Sequence, residues 1–228
     1  MMDQALRSWQ RCWGRTTEAT LNPLSPNGLI PFNSTALLRI AYIRMNADLG
    51  PYRHVLIRNP SCLASSVAST PTLKLDRTTY TDIAVLQCIH ALGIIVRSGI
   101  EFVSRTHTQS WSIVHSLSNI ECACLLSLWL RSVADLMSEQ GMQGLRKEET
   151  QLLRMTTSVV LETTMADDLE EEQNAVVRVR KLAACIVKVW VDSLKGEHMF
   201  QMVQTIAKGL SLAADILIAE LDEEIQAR

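Results

Sequence analysis

The sequence predicts an all-α protein, and three observations carry that expectation. Apolar residues recur at steps of three and four over long stretches, and no alternating strand pattern of useful length interrupts them. Glycines, prolines and small polar residues punctuate the periodic stretches at helix-length intervals. With 228 residues and 47% hydrophobic content, the chain holds ample material for a packed core. Short breaks between successive periodic stretches imply antiparallel neighbours. The expected architecture is therefore a single multi-helix, bundle-like domain over 1–228 with a Pro-rich connector near the N-terminus, and no internal repeat of fixed period is visible.

The opening residues MMDQALRSWQRCWGR place Leu6, Trp9 and Trp13 at helical spacing, which predicts a short amphipathic helix, and they lack the apolar core of a signal peptide. Residues 21–32, LNPLSPNGLIPF, hold three prolines and a glycine and read as an extended connector. Pro31 to Pro51, PFNSTALLRIAYIRMNADLGP, reads as a helix with start and stop signals in place. Asn33 or Ser34 is the expected cap, Gly50 the expected closing residue and Pro51 the block. Leu37, Leu38, Ala41, Tyr42, Met45 and Leu49 fall on its expected inward face, with Arg39, Arg44 and Asp48 mostly elsewhere. Residues 59–72, NPSCLASSVASTPT, are rich in Ser, Pro and small side chains and read as a second loop.

From Thr79 the helical pattern runs unbroken to Val103 through Ile83, Leu86, Ile89, His90, Gly93, Val96 and Ile100. Gly93 and Gly99 each weaken such a helix by about 1 kcal/mol relative to alanine, so they mark close packing or a kink. A second long helix is expected from Thr108 to Met137, with Trp111, Val114, Leu117, Cys124, Leu125, Leu128 and Trp129 inward. Gly141 and Gly144 break the chain before a helix over 146–165. The last pair is expected over 170–194, with Val176, Val177, Leu182, Ile186, Val187 and Trp190 inward, and over 197–225, with Phe200, Val203, Ile206, Leu210, Ala213, Leu217 and Leu221 inward. Lys195 and Gly196 sit where a helix C-terminus favours a cation and a left-handed residue.

Charge and cysteine usage narrow the function classes. The 22 basic residues against 24 acidic ones give a net charge of −2, with a pI near 6.2, so no field draws the chain to nucleic-acid phosphates and direct DNA binding is not expected. Cys12, Cys62, Cys88, Cys122, Cys124 and Cys185 are scattered, which predicts free buried thiols rather than a disulfide framework. No run reaches the roughly 18 uninterrupted apolar residues of a membrane span. The best candidate, Leu117 to Leu130, is short and contains Glu121, and reads as a buried helix.

Each motif that might carry chemistry has a plainer reading. The acidic run Asp167, Asp168, Glu170, Glu171 and Glu172 superficially resembles the aspartate-rich magnesium motif of helical isoprenoid enzymes, but a second motif on a facing helix is missing, and acidic residues suit the positive end of a helix. A helical enzyme with a metal site at 167–172 therefore stands as the alternative reading, beside that of a helical scaffold without ligand. Cys122, Cys124 and His115 lack zinc-finger spacing, and residues two apart on a helix diverge. His90 falls on the apolar face of its helix, while His54, His107, His115 and His198 are dispersed, and Ser110, Ser112 and Ser116 lack a Gly-x-Ser-x-Gly elbow. No phosphate-binding glycine loop is present. The sequence thus nominates no catalytic, cofactor-binding or metal-ligating residue. Arg178, Arg180 and Lys181, in the word RVRK, form a basic cluster that suits a weak nuclear-import signal or a solvated helix face. Trp111, Trp129 and Trp190 lie on apolar stripes and are expected in the core, whereas Trp9 and Trp13, near a terminus, are the candidate partner contacts.

Residues 6–53, LRSWQRCWGRTTEATLNPLSPNGLIPFNSTALLRIAYIRMNADLGPYR, resemble the regulatory region of fungal Cys2His2 zinc-finger transcription factors, in which a Trp-containing helix leads through a Pro-rich turn into a helix of this wording. FVSRTHTQSWSIVHSLSNIECACLLSLWL resembles that family's paired core helices, and VWVDSLKGEHMFQMVQTIAKGLSLAADIL its C-terminal helices, so the similarity extends over nearly the whole chain. The resemblance implies an all-helical fungal-specific transcription factor domain that regulates transcription in the nucleus through protein partners or the transcription machinery. The chain departs from the family pattern in having no finger ligands at usable spacing, so the zinc and DNA recognition of the family's fingers attach to no residue here. A fragment or a finger-less paralogue is the expectation.

Overall fold

The structure, a computed structural model, describes residues 2–22, 25, 30–47, 59–68, 75–196 and 200–226. Among these residues the chain forms ten α-helices, one short 3-10 turn and no strand, so the all-α expectation holds. The helices are α1 (Met2–Trp13), α2 (Ile30–Asn46), α3 (Pro60–Ala68), α4 (Thr79–Ser98), α5 (Ile100–Ser110), α6 (Ile113–Gln140), α7 (Lys147–Leu161), α8 (Ala166–Glu170), α9 (Ala175–Ser193) and α10 (Gln201–Gln226).

Helix α6 is the centre. It packs against α9, α2, α4, α10 and α3, while α9 also packs against α10 and α5, and α7 lies on α4. The expected tryptophans are inside: Trp111, Trp129 and Trp190 are all buried in one continuous core. α4, α6 and α10 are long and apolar enough by length and composition to cross a membrane, which corrects the expectation that no stretch qualifies. Isolated polar residues break the apolar runs in the sequence without ending the helices. In α6, 83% of the apolar window is buried inside the fold.

Several boundaries move for identifiable reasons. α2 begins at Ile30, not at a cap on Asn33 or Ser34, so the connector ends earlier than 32. Pro31 sits in the first turn, where its missing N–H has no intrahelical partner to lose, and the Ser34 hydroxyl donates back to the Pro31 carbonyl at 2.7 Å. The buried face is also rotated. Phe32, Thr35, Ala36, Arg39 and Ile43 are covered beside Leu38 and Tyr42, whereas Leu37 is 59% exposed. Gly50 and Pro51, with Asp48 and Leu49, lie outside the described residues.

The expected loop over 59–72 contains helix α3. Asn59 caps it, its side chain accepting the Ser61 N–H at 2.9 Å, and Pro60 occupies the first turn. Leu63, Ala64, Val67 and Ala68 then form a buried face against α10. Small side chains permit that contact: a Cβ on Gly209 of α10 would lie 2.6 Å from Leu63 Cδ2. Residues 69–72 lie outside the described set.

The long helix expected from Thr79 to Val103 is two helices. Thr78 caps α4 by accepting the Thr81 N–H, and Gly99 ends it at φ +88°, donating to the Val96 carbonyl. His90 is exposed rather than inward, because the buried face runs through Ala84, Val85, Cys88, Ile89, Ala91, Leu92 and Ile95. Gly93 marks no tight approach, since a Cβ there would meet Val159 at an ordinary 3.9 Å. α6 starts at Ile113 instead of Thr108 and extends to Gln140, where Gly141 at φ +69° donates to the Met137 carbonyl. The helix expected over 146–165 ends at Leu161 as α7, a turn over 162–165 leads into the short α8, and the helix expected from 170 begins at Ala175, capped by Asn174.

Gly196 is needed for a reason other than the one expected. Its φ is not positive, but a Cβ there would stand 2.6 Å from the Ser104 carbonyl oxygen of α5. Two backbones meet at that point. Lys195 pairs with Asp192 at 2.6 Å, and Phe200, expected inward, is exposed.

Candidate functional site

The N-terminal helix carries the exposed surface on which sequence reading placed a partner contact. Met2, Leu6, Trp9 and Trp13 are spaced four, three and four apart, which aligns them on one stripe. Trp9 and Trp13 stack with ring centroids 6.2 Å apart and planes 15° from parallel. No residue of α1 is buried. The helix rests on α2, where burial of the Tyr42 phenol, with the Asp3 carboxylate nearby, raises its pKa. Arg7 donates to Asp3 at 2.8 Å, and Arg11 in the last turn is exposed.

The basic cluster opens α9 and its three cations diverge. Arg178 donates through Nε to the Glu172 carbonyl at 2.9 Å. Arg180 pairs with Asp135 at 2.8 Å and with Glu224, which ties α9 to α6 and α10. Lys181 pairs with Glu172 at 3.2 Å. Arg180 also lines a groove of about 450 Å³ with Arg131, Asp135, Glu220 and Glu224, whose opposite charges neutralise one another.

The acidic run does not converge on a point. Asp167 and Asp168 are exposed on α8, and Glu172 accepts the Asn174 N–H at 2.9 Å while pairing with Lys181. That hydrogen bond, reinforced by Lys181, holds the Glu172 carboxyl below its ordinary range. No group of three or more His, Cys, Asp or Glu side chains suited to a metal ion occurs among the described residues.

Four cysteines, Cys88, Cys122, Cys124 and Cys185, are buried as expected, but Cys12 and Cys62 are exposed. Cys12 lies on α1, which buries no residue, and Cys62 falls outside the buried face of α3. Burial pushes the Cys185 thiol up to about 11 and raises Cys88 as well, so both remain protonated. His115 is a core residue whose ring lies 4.2 Å from Phe32 and 5.0 Å from Trp111 between centroids. His54, His198 and the side chains of His107 and Ser110 lie outside the described residues.

Sequence reading missed the strongest electrostatic feature, a network joining α4, α7 and the segment before α4. Arg146 grips Asp82 with two bonds of 2.8 and 2.7 Å and reaches Glu149 at 3.0 Å. Arg77 donates to the same Glu149 at 2.9 and 2.6 Å. Burial alone would raise the Glu149 carboxyl, but Arg77, the Arg146 N–H and the Arg146 guanidinium outweigh it and hold the group at about 2. The Arg-x-x-Glu spacing at the head of α7, with Glu149 reaching back to the Arg146 N–H at 2.9 Å, was the available signal. The network is structural: its charges are satisfied by each other.

A family model described as the fungal transcription factor C-terminal domain matches residues 48–212. The matched range includes the whole of FVSRTHTQSWSIVHSLSNIECACLLSLWL and most of the last quoted stretch. It begins after α2, so the Trp-bearing start and most of the Pro31 to Pro51 wording lie before it, and the similarity is shorter than the near-complete coverage expected. No curated protein and no solved structure gives a significant match.

Proposed function

We propose, because the chain belongs to the fungal transcription factor C-terminal domain family, that it acts as a regulatory module whose output is protein contact rather than DNA reading. The family match over 48–212 is the observation that carries this reading. A net charge of −2 favours protein partners over phosphate. The stacked Trp9 and Trp13 supply the contact surface, since large, rigid aromatic side chains dominate protein recognition. The reading places the chain in the nucleus. Arg178 and Lys181 are the cluster members most available to an import adaptor, because Arg180 is tied to Asp135 and Glu224.

The test fuses the full chain to a heterologous DNA-binding module and measures transcription of a reporter carrying that module's sites in a fungal cell. Altered transcription relative to the module alone supports the reading. Unchanged transcription at equal nuclear abundance overturns it. A companion measurement titrates the chain alone with duplex DNA, where only weak, salt-sensitive binding is expected.

A further inference from the structure

Beyond α1 and the charged groove lies a second concavity, formed where the C-terminal end of α6, the Met142–Gly144 turn, α7, α8 and α9 come together. It encloses about 350 Å³. Its floor is apolar, made by Leu153, Leu169, Val179 and Leu182. Met142, 51% exposed, and Leu161, 37% exposed, leave its rim apolar as well. The charged side chains among the described lining residues are Arg154 on α7 and Arg178 on α9, and no carboxylate lines it.

The two arginines differ from Arg131 and Arg180 in the neighbouring groove, which face Glu220, Asp135 and Glu224. Arg178 is held through Nε by the Glu172 carbonyl, with the Glu172 carboxylate near enough to feel its charge. The Thr157 hydroxyl is spent on the Leu153 carbonyl at 2.9 Å. The cavity therefore offers an apolar surface with positive charge on its lining. Its volume falls in the small-molecule range of roughly 300–1,000 Å³. Its lining of a dozen residues is smaller than the roughly 20–30 residues a side of a protein interface.

We propose that this cavity binds an amphipathic monocarboxylate, its acyl chain lying on Leu153, Leu169, Val179 and Leu182 and its carboxylate facing Arg154 and Arg178. The apolar floor supplies affinity in proportion to the chain area removed from water. The guanidiniums supply selection for an anionic head, because charge-assisted hydrogen bonds are the stronger class. This assignment stands independently of the partner contact through α1.

The experiment titrates the full chain with dodecanoate, dodecanol and dodecyltrimethylammonium, each below its aggregation limit, by calorimetry and by NMR shifts of the cavity methyl groups. Dodecanoate is expected to bind at least about tenfold more tightly than dodecanol, with the cation weakest. Arg154→Gln with Arg178→Gln should erase that preference while the helical circular dichroism is retained. Leu161→Asp, at the exposed rim, should abolish dodecanoate binding in a folded chain. Equal binding of dodecanoate and dodecanol overturns the proposal, as does a preference that survives the double substitution. An acidic amphipathic peptide that shifts the cavity methyls while dodecanoate does not overturns it in favour of a protein ligand.

Discussion

Helices α1 and α9 both carry tryptophan and both bear basic residues, yet they meet opposite fates. Trp9 on α1 is 39% exposed, whereas Trp190 on α9 is fully buried. The difference does not lie in local pattern, since α1 has a clean apolar stripe through Met2, Leu6, Trp9 and Trp13. It lies in what surrounds each helix. α9 is enclosed by α6, α10 and α5, while α1 has α2. An apolar stripe is an offer of burial, and the fold accepts it only where enough neighbours are present to exclude water. The unaccepted offer on α1 is what makes its tryptophans candidates for a contact outside the chain.

The sharpest way to break this comparison is to truncate both tryptophans. Trp190→Ala should cost about 3–5 kcal/mol, because it empties a fully enclosed site, and equilibrium urea unfolding measures it. A comparable loss for Trp9→Ala would show that α1 is as integral as α9. The next largest effect tests how tightly the α9 end is enclosed. Gly196→Ala should cost about 1–3 kcal/mol, since the new methyl meets the Ser104 carbonyl and neither backbone has room to yield. A thermal melt unchanged from the parent would mean that the approach of α5 to this segment is looser than 2.6 Å.

A third test contrasts ionic with apolar enclosure. The Glu149 carboxyl is held at about 2, below its ordinary range, by Arg77 and Arg146. A depressed carboxylate contributes stability that is fully present above its unfolded value near 4.3 and disappears as pH falls toward 2. Unfolding free energy should therefore fall between pH 5 and pH 2.5 in the parent, with a shallower slope in Glu149→Gln. Parallel slopes would remove Glu149 from the network's energetics. The smallest stability effect, about 1 kcal/mol, is expected for Trp9→Ala combined with Trp13→Ala, because Trp9 is exposed and Trp13 only half-buried. The same pair should nonetheless reduce the reporter response of the tethered chain, and full retention would move the partner contact away from α1.

The all-α class and the core positions of Trp111, Trp129 and Trp190 were legible in the chain because each rests on spacing within a single helix, and the family was legible through the resemblance of whole segments. The rotated face of α2 was not, since Leu37 and Arg39 differ in burial only through where α4 and α6 lie. Helix α3 was hidden because a segment of Ser, Ala and Pro looks like a loop until α10 presents Gly209 to its Leu63. The arginines of the acyl-sized cavity were equally hidden, since Arg154 and Arg178 come from separate helices and carry no mutual spacing.

Sequence by itself therefore determined that the chain is helical and roughly where its helices stop, because capping, periodicity and glycine breaks act over a few residues, and it carried the family through the resemblance of whole segments. Tertiary structure alone decided which faces are covered, that Gly196 serves a backbone crossing rather than a left-handed turn, and that two arginines from separate helices line one apolar cavity. Those outcomes depend on contacts between residues far apart in the chain, and such contacts are set by packing the helices together rather than by any one of them.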